Sequence, residues 1–299
     1  MNAPEPTSGE MHSARWPAAA PNTLGFATAP ISRTLNNFAL WGRVLVRKPR
    51  TRLPPVSRTA VTLSIVTVAA TIDCMILFDT AASEWARGLP HWFDAASEEI
   101  TNFGLSGWFL FPFGFVLVLL AAVLSPALSR MTQGVLAALT VRFGFLFLAI
   151  GVPGLFVTIV KRLIGRARPY VDKPDDPFTY MPFVWRPEYA SMPSGHATTA
   201  ASAAIAIGAI WPRTRAVMWL YALIIMASRV IVLAHHPSDV LAGALVGAVG
   251  ALGVRRWFAA RRLGFAVAGG KVIALPVPSF KRIAQAARST FTNCDRGRS

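Results

Sequence analysis

Charge is scarce in this sequence, and so is cysteine. Asp, Glu, Lys and Arg make up 15% of the 299 residues, against about 25% in a soluble globular protein. That shortage argues against a water-soluble enzyme. Acidic residues are the rarer sign, 14 against 30 basic, for a net charge of +16. No recognised nucleic-acid motif accompanies this excess, so nucleic acid is not the expected partner. The two cysteines are Cys74, inside an apolar run, and Cys294, in a basic tail. Neither a disulfide framework nor a cysteine metal site is indicated. The first 30 residues lack a continuous apolar core, and no signal peptide is expected there.

What the chain has in abundance is apolar surface. Hydrophobic residues account for 54%, and mean hydropathy is +0.46. Several runs approach or exceed about 18 apolar residues, the length of a membrane span. Disorder is thereby excluded over most of the chain. Six spans are expected, over residues 59–81, 103–124, 135–160, 194–211, 217–233 and 239–254. The fold class is all-α, a polytopic membrane bundle. Residues 1–34, rich in Ala, Pro, Ser and Thr, read as a disordered tail. Residues 35–48 mix Leu35, Phe38, Trp41, Val44 and Leu45 with Arg43, Arg47 and Lys48, the pattern of a helix lying on a membrane surface. Pro54 and Pro55 then interrupt the chain. The expected organisation is a tail over 1–58, a membrane domain over 59–254 and a basic tail over 255–299. Small residues crowd the fourth and sixth spans, with Ala197, Ala200, Ala201 and Ala204 in one and Gly243 and Gly247 at GxxxG spacing in the other. Such faces allow close helix approach in lipid.

Orientation follows from the basic residues. Residues 1–58 carry eight and residues 255–299 carry ten, so 18 of the 30 lie in the tails. Both tails are expected in the cytoplasm, which an even number of spans allows. Loops at about 82–102, 161–193 and 234–238 then face outward. The second of these breaks the charge rule with Lys161, Arg162, Arg166, Arg168, Lys173 and Arg186. A functional demand for cations on that side explains the exception. The plain alternative, for Lys161, Arg162 and Arg166 above all, is interfacial anchoring.

Three segments on that side carry polar chemistry. They are Lys161 with Arg168-Pro169, then Pro193-Ser194-Gly195-His196, then Ser228-Arg229 with His235 and Asp239. Lys161, Arg168 and Arg229 supply cations, two of them planar forks suited to a tetrahedral dianion. Ser194 and Gly195 open an Ala-rich helix whose N-terminal N–H groups make an anion cradle. His235 and Asp239 are four apart, so a helical turn would place them on one face. An Asp bonded to one imidazole nitrogen fixes the tautomer and frees the other to attack. His196 remains as a proton donor. Together these groups describe phosphoryl transfer without a metal.

The three segments resemble the three-part signature of the type 2 phosphatidic acid phosphatases, a superfamily that includes the vanadium haloperoxidases. Every position of the signature is present in order, over residues 161–239. The resemblance implies a six-helix membrane phosphatase of lipid phosphates, with no cofactor and with membrane lipids around it. It implies His235 as the nucleophile that forms a phosphohistidine, Asp239 as its orienter and His196 as the acid for the leaving oxygen. Lys161, Arg168, Ser194, Gly195 and Arg229 would bind the phosphoryl oxygens. The expected location is a bacterial inner membrane, with the site on the outer face. His236 follows His235 directly, but spacing from Arg229 and Asp239 selects His235. Asp172, Asp175 and Asp176 read as a solvated loop edge rather than metal ligands. The charge of Asp239 is expected to raise the pKa of His235. The expected substrate is undecaprenyl diphosphate or a phosphatidate-like lipid, with lipid A or phosphatidylglycerol phosphate as the alternative, and a phosphotransferase would use the same phosphohistidine.

Overall fold

The computed structural model describes residues 29–171 and 176–276. The expected tail before residue 29, Asp172, Asp175 and Cys294 lie outside the described residues. Helix α1 (Ala29–Leu45) is followed by α2 (Arg58–Asp73), which runs through a π-helical turn (Cys74–Phe78) into α3 (Asp79–Arg87). Then come α4 (His91–Asn102), α5 (Gly107–Val123), α6 (Arg130–Ile164), α7 (Gly195–Ile210), α8 (Arg215–Ile231) and α9 (Pro237–Ala260). The described residues are all-α apart from a hairpin, β1 (Phe265–Ala268) and β2 (Lys271–Ala274).

Each expected span is helical, but two boundaries moved. The first expected span continues through α3 to Arg87, and the expected outer loop over 82–102 is largely helical because α4 fills it. Among the described residues five stretches are long and apolar enough to cross a membrane, and α7 is a shorter apolar helix. With 16 residues, α7 is about 24 Å long at 1.5 Å per residue, less than the roughly 30 Å of a bilayer core. Its position explains how it manages. It packs against α6, α8 and α9 at once, and Ala197, Ala200, Ala201, Ala203 and Ala206 are fully buried. It faces protein rather than lipid. Large side chains point outward on the peripheral helices instead, with Phe111 80% and Phe115 70% exposed on α5.

The GxxxG pair acts as its spacing suggests. A Cβ on Gly243 would overlap the Ser194 carbonyl, and one on Gly247 would overlap that of Thr198. Two glycines therefore let α9 lie directly on the backbone of α7. The hydroxyl of Thr198 lies 2.9 Å from the carbonyl oxygen of Gly243, and the Ser194 N–H donates to that of Asp239 at 2.9 Å. The start of α7 is thus bonded to the start of α9.

The other end of the bundle holds the aromatic core. Phe145 of α6 meets Phe258 of α9 and Phe265 of β1 at 5.5 and 4.8 Å between ring centres. The terminal segments dock here. Asn37 of α1 donates to the Ala121 and Leu124 carbonyls at 2.8 and 2.9 Å, and Arg142 of α6 donates to that of Leu275 at 3.1 Å. Residues 255–276, expected as part of a tail, are the last turn of α9 and a hairpin turned by Gly269-Gly270, both at positive φ. Two glycines between paired strands are a recognisable hairpin signal.

Candidate active site

Four helix ends meet on one side of the bundle. They are the C-termini of α6 and α8 and the N-termini of α7 and α9. Lys161 stands in the last turn of α6, which stops at Gly165, a left-handed cap with φ 66°. A Cβ on Gly165 would strike the Met181 backbone, so only glycine lets the chain turn here against its own loop. That loop folds back in steps. Met181 N–H donates to the Gly165 carbonyl at 2.7 Å, Ala167 N–H to that of Thr179 at 3.0 Å, and Arg168 N–H to that of Glu188 at 2.9 Å. Arg87, at the end of α3, donates to the Pro169 carbonyl. Arg168 is therefore carried on a fastened loop, not a free one.

Ser194 caps α7 and is buried, its hydroxyl accepting from Ala197 N–H at 3.5 Å. Gly195 is the first residue of that helix and His196 the second. His196 lies within electrostatic reach of Arg229, His235, Arg168 and Lys161. Gly104, just past α4, backs onto it, and a Cβ there would come 2.9 Å from His196 Cδ2. Arg229 ends α8, and its Nη1 donates to Thr101 Oγ1 at 2.7 Å. The buried Nε atoms of Arg168 and Arg229 have no hydrogen-bond partner among the described residues. Unfilled guanidinium donors around a helix N-terminus are what an anion would complete.

The phosphate-clamp candidates and the two candidate catalytic histidines, His196 and His235, are thus brought to one place. The His235–Asp239 pair differs from expectation. His235 is not on α9, because His236 is its N-cap and Pro237 its first residue. Nδ1 of His235 stands 3.9 Å from Asp239 Oδ2, beyond hydrogen-bond reach. The Asp239 carboxylate has other partners. Oδ1 accepts from Arg166 Nη1 at 2.6 Å, and Oδ2 from Ser191 Oγ at 2.5 Å and His236 N–H at 2.9 Å. His236 in turn forms a reciprocal capping box with Asp239. Burial pushes the His235 pKa down to about 4. Asp239 works the other way, as expected from the sequence, but burial outweighs it and Arg229 and Arg168 add to burial.

A sequence profile of the PAP2 superfamily matches residues 142–263. A lipid A 1-phosphatase of Rhizobium johnstonii is 33% identical over 187 residues, covering 61% of this chain and 74% of that protein. A second lipid A 1-phosphatase, from Rhizobium etli, is 32% identical over 184 residues, covering 61% and 78%. The chain belongs to the PAP2 superfamily. A comparison with solved structures finds the crystal structure of a transmembrane PAP2-type phosphatidylglycerolphosphate phosphatase from Bacillus subtilis. That match has a TM-score of 0.40 and 19% identity, over 77% of this chain and 96% of the other. The chain is a PAP2-type integral membrane phosphatase.

Sequence reasoning passed over Asp79, Ser191, Ser238 and Thr101, and it weighed Arg166 only as an outer-loop cation or an interfacial anchor, which its complete burial excludes. Asp79 had a usable signal, since an acidic residue inside an apolar span marks a functional position by default. Arg166 had none, being one of several basic residues in one loop.

Proposed function

We propose that this PAP2 phosphatase hydrolyses the 1-phosphate of lipid A through a phosphohistidine on His235. Support for the site comes chiefly from the unpartnered Arg168 and Arg229 Nε donors around the N-terminus of α7. The substrate reading rests on the two rhizobial relatives, whose names specify lipid A.

In the proposed reaction the phosphoryl oxygens sit against Lys161, Arg168, Arg229, the Ser194 hydroxyl and the Gly195 N–H, the Ser194 N–H being held by the Asp239 carbonyl. Nδ1 of His235 faces Asp239, so Nε2 is the attacking nitrogen. It forms an N–P bond as the bond from phosphorus to the lipid oxygen breaks. His196 gives its proton to that oxygen. It then takes a proton from water, which attacks phosphorus, breaks the N–P bond and leaves inorganic phosphate. Charge developing on the phosphoryl oxygens meets fixed cations already in position. A metal has no step to perform.

In this reading residues 59–254 form the catalytic bundle, both tails lie in the cytoplasm and the site opens on the outer face. Phosphate release by purified protein in EDTA, from lipid A, undecaprenyl diphosphate, phosphatidate and phosphatidylglycerol phosphate, tests it. Lipid A is expected to be hydrolysed at least tenfold faster than the others. Preference for another lipid overturns the substrate, and activity lost in EDTA but restored by Mg²⁺ overturns the metal-free step.

A further inference from the structure

Beneath the candidate site lies a second polar cluster, sealed from solvent. The side chains of Arg166, Asp79 and Asp239 are all 0% exposed. Every nitrogen of the Arg166 guanidinium is used. Nε donates to the Pro177 carbonyl at 2.9 Å, Nη1 to Asp239 Oδ1 at 2.6 Å and to Ser238 Oγ at 2.7 Å, and Nη2 to Asp79 Oδ2 at 2.8 Å. Asp79 reaches across from α3 to α9, where its Oδ1 accepts from Ser238 N–H at 3.0 Å and its Oδ2 from Ser238 Oγ at 2.5 Å. Burial works against the charge of Arg166, but Asp239 and Asp79 outweigh it and hold its pKa above the ordinary value.

We propose that Arg166 and Asp79 are positioning residues for phosphoryl transfer, fixing the Asp239 carboxylate and, through it, the His235 ring. This rests on the reading of His235 as nucleophile. Arg166 occupies Oδ1 of Asp239, which turns Oδ2 toward His235. A lone buried carboxylate 3.9 Å from an imidazole would favour the imidazolium, and an imidazolium has no lone pair with which to attack. Arg166 shares the Asp239 charge and removes that bias. Asp79 holds the opposite edge of the guanidinium and, through Ser238, ties it to the start of α9, so that the fork stays in register with Asp239 Oδ1.

A buried ion cluster of this kind could instead serve folding alone, and the two roles differ in what they move. Asp79→Asn keeps shape and removes one charge. Arg166→Lys keeps charge and removes the fork. Each variant is purified in detergent and assayed on lipid A as the monodisperse fraction, beside the wild type and Asp239→Asn. The expected result is kcat lowered at least tenfold with KM within about twofold. Combining Asp79→Asn with Asp239→Asn is expected to cost little beyond Asp239→Asn alone, since both act through one carboxylate. Should Arg166→Lys not fold, the isosteric Asp79→Asn decides. A near-normal kcat in the folded Asp79→Asn protein, or losses that simply add in the double variant, overturns the proposal. A wild type that releases no phosphate from any lipid overturns the nucleophile reading as well, so the two failures are told apart.

Discussion

Arg166 and Arg168 stand two residues apart on one loop and meet opposite fates. Arg166 is 0% exposed and bonded at every guanidinium nitrogen. Arg168 is half-buried with a free Nε. Composition treats them alike, and only the fold separates a positioning cation from a binding one. Arg168→Lys and Arg229→Lys keep charge but lose the planar fork. Each is expected to lower kcat/KM at least tenfold, about 1.4 kcal/mol of transition-state stabilisation, while near-normal values in both would reduce these arginines to anchors. Arg166→Ala strands two buried carboxylates and is expected to destabilise the protein by about 3–5 kcal/mol, read as a lower thermal midpoint in detergent. His235 gives a pH test. Its pKa falls from the usual value of about 6.5 to about 4 in the folded chain, so the unfolded chain binds a proton more readily. Stability from the neutral ring is complete above about pH 6.5 and is lost as pH falls toward 4. The thermal midpoint is expected to drop across that window in the wild type and less in His235→Asn. Equal drops would contradict the assignment.

At the scale of elements, the apolar runs made the spans legible, because a helix that meets lipid must be apolar along its length. The Gly243–Gly247 spacing was legible too, and its partner is α7. Gly247→Val would drive a side chain into the Thr198 backbone, and about 1–3 kcal/mol of destabilisation is expected, checked by the same thermal midpoint. An unchanged midpoint would mean the two helices can part without loss. What the sequence hid lies where tertiary contacts decide. The 82–102 segment reads as a loop because its charges break the apolar pattern, yet α4 forms and supplies Thr101 to Arg229. His235 and Asp239 read as one helical face, but Pro237 starts α9 between them and leaves His235 outside. The signature positions converge because the ends of four helices meet on one side. The support beneath them came from α3, whose Asp79 sits far from the signature in sequence.

For the molecule as a whole, charge divides along the bundle axis. Arg130 begins α6, Arg213 and Arg215 precede and begin α8, and Arg255 and Arg256 stand near the end of α9. All of them lie at the end away from His196 and His235, which is why the tails are proposed to face the cytoplasm. With Cys74 and Cys294 replaced by Ser, a thiol at Trp185→Cys is expected to be labelled from outside intact cells. One at Lys271→Cys is expected to be labelled only after permeabilisation, and the reverse pattern would invert the topology. In the proposed mechanism this bundle passes a phosphoryl group from a lipid to one histidine. The most direct measurement is a rapid quench of the protein turning over lipid A labelled with ³²P at the 1-phosphate. An acid-labile, base-stable phosphoprotein is expected in the wild type and in His236→Ala, and none in His235→Ala. Label retained in His235→Ala, or phosphate released by that variant at the wild-type rate, would contradict that mechanism.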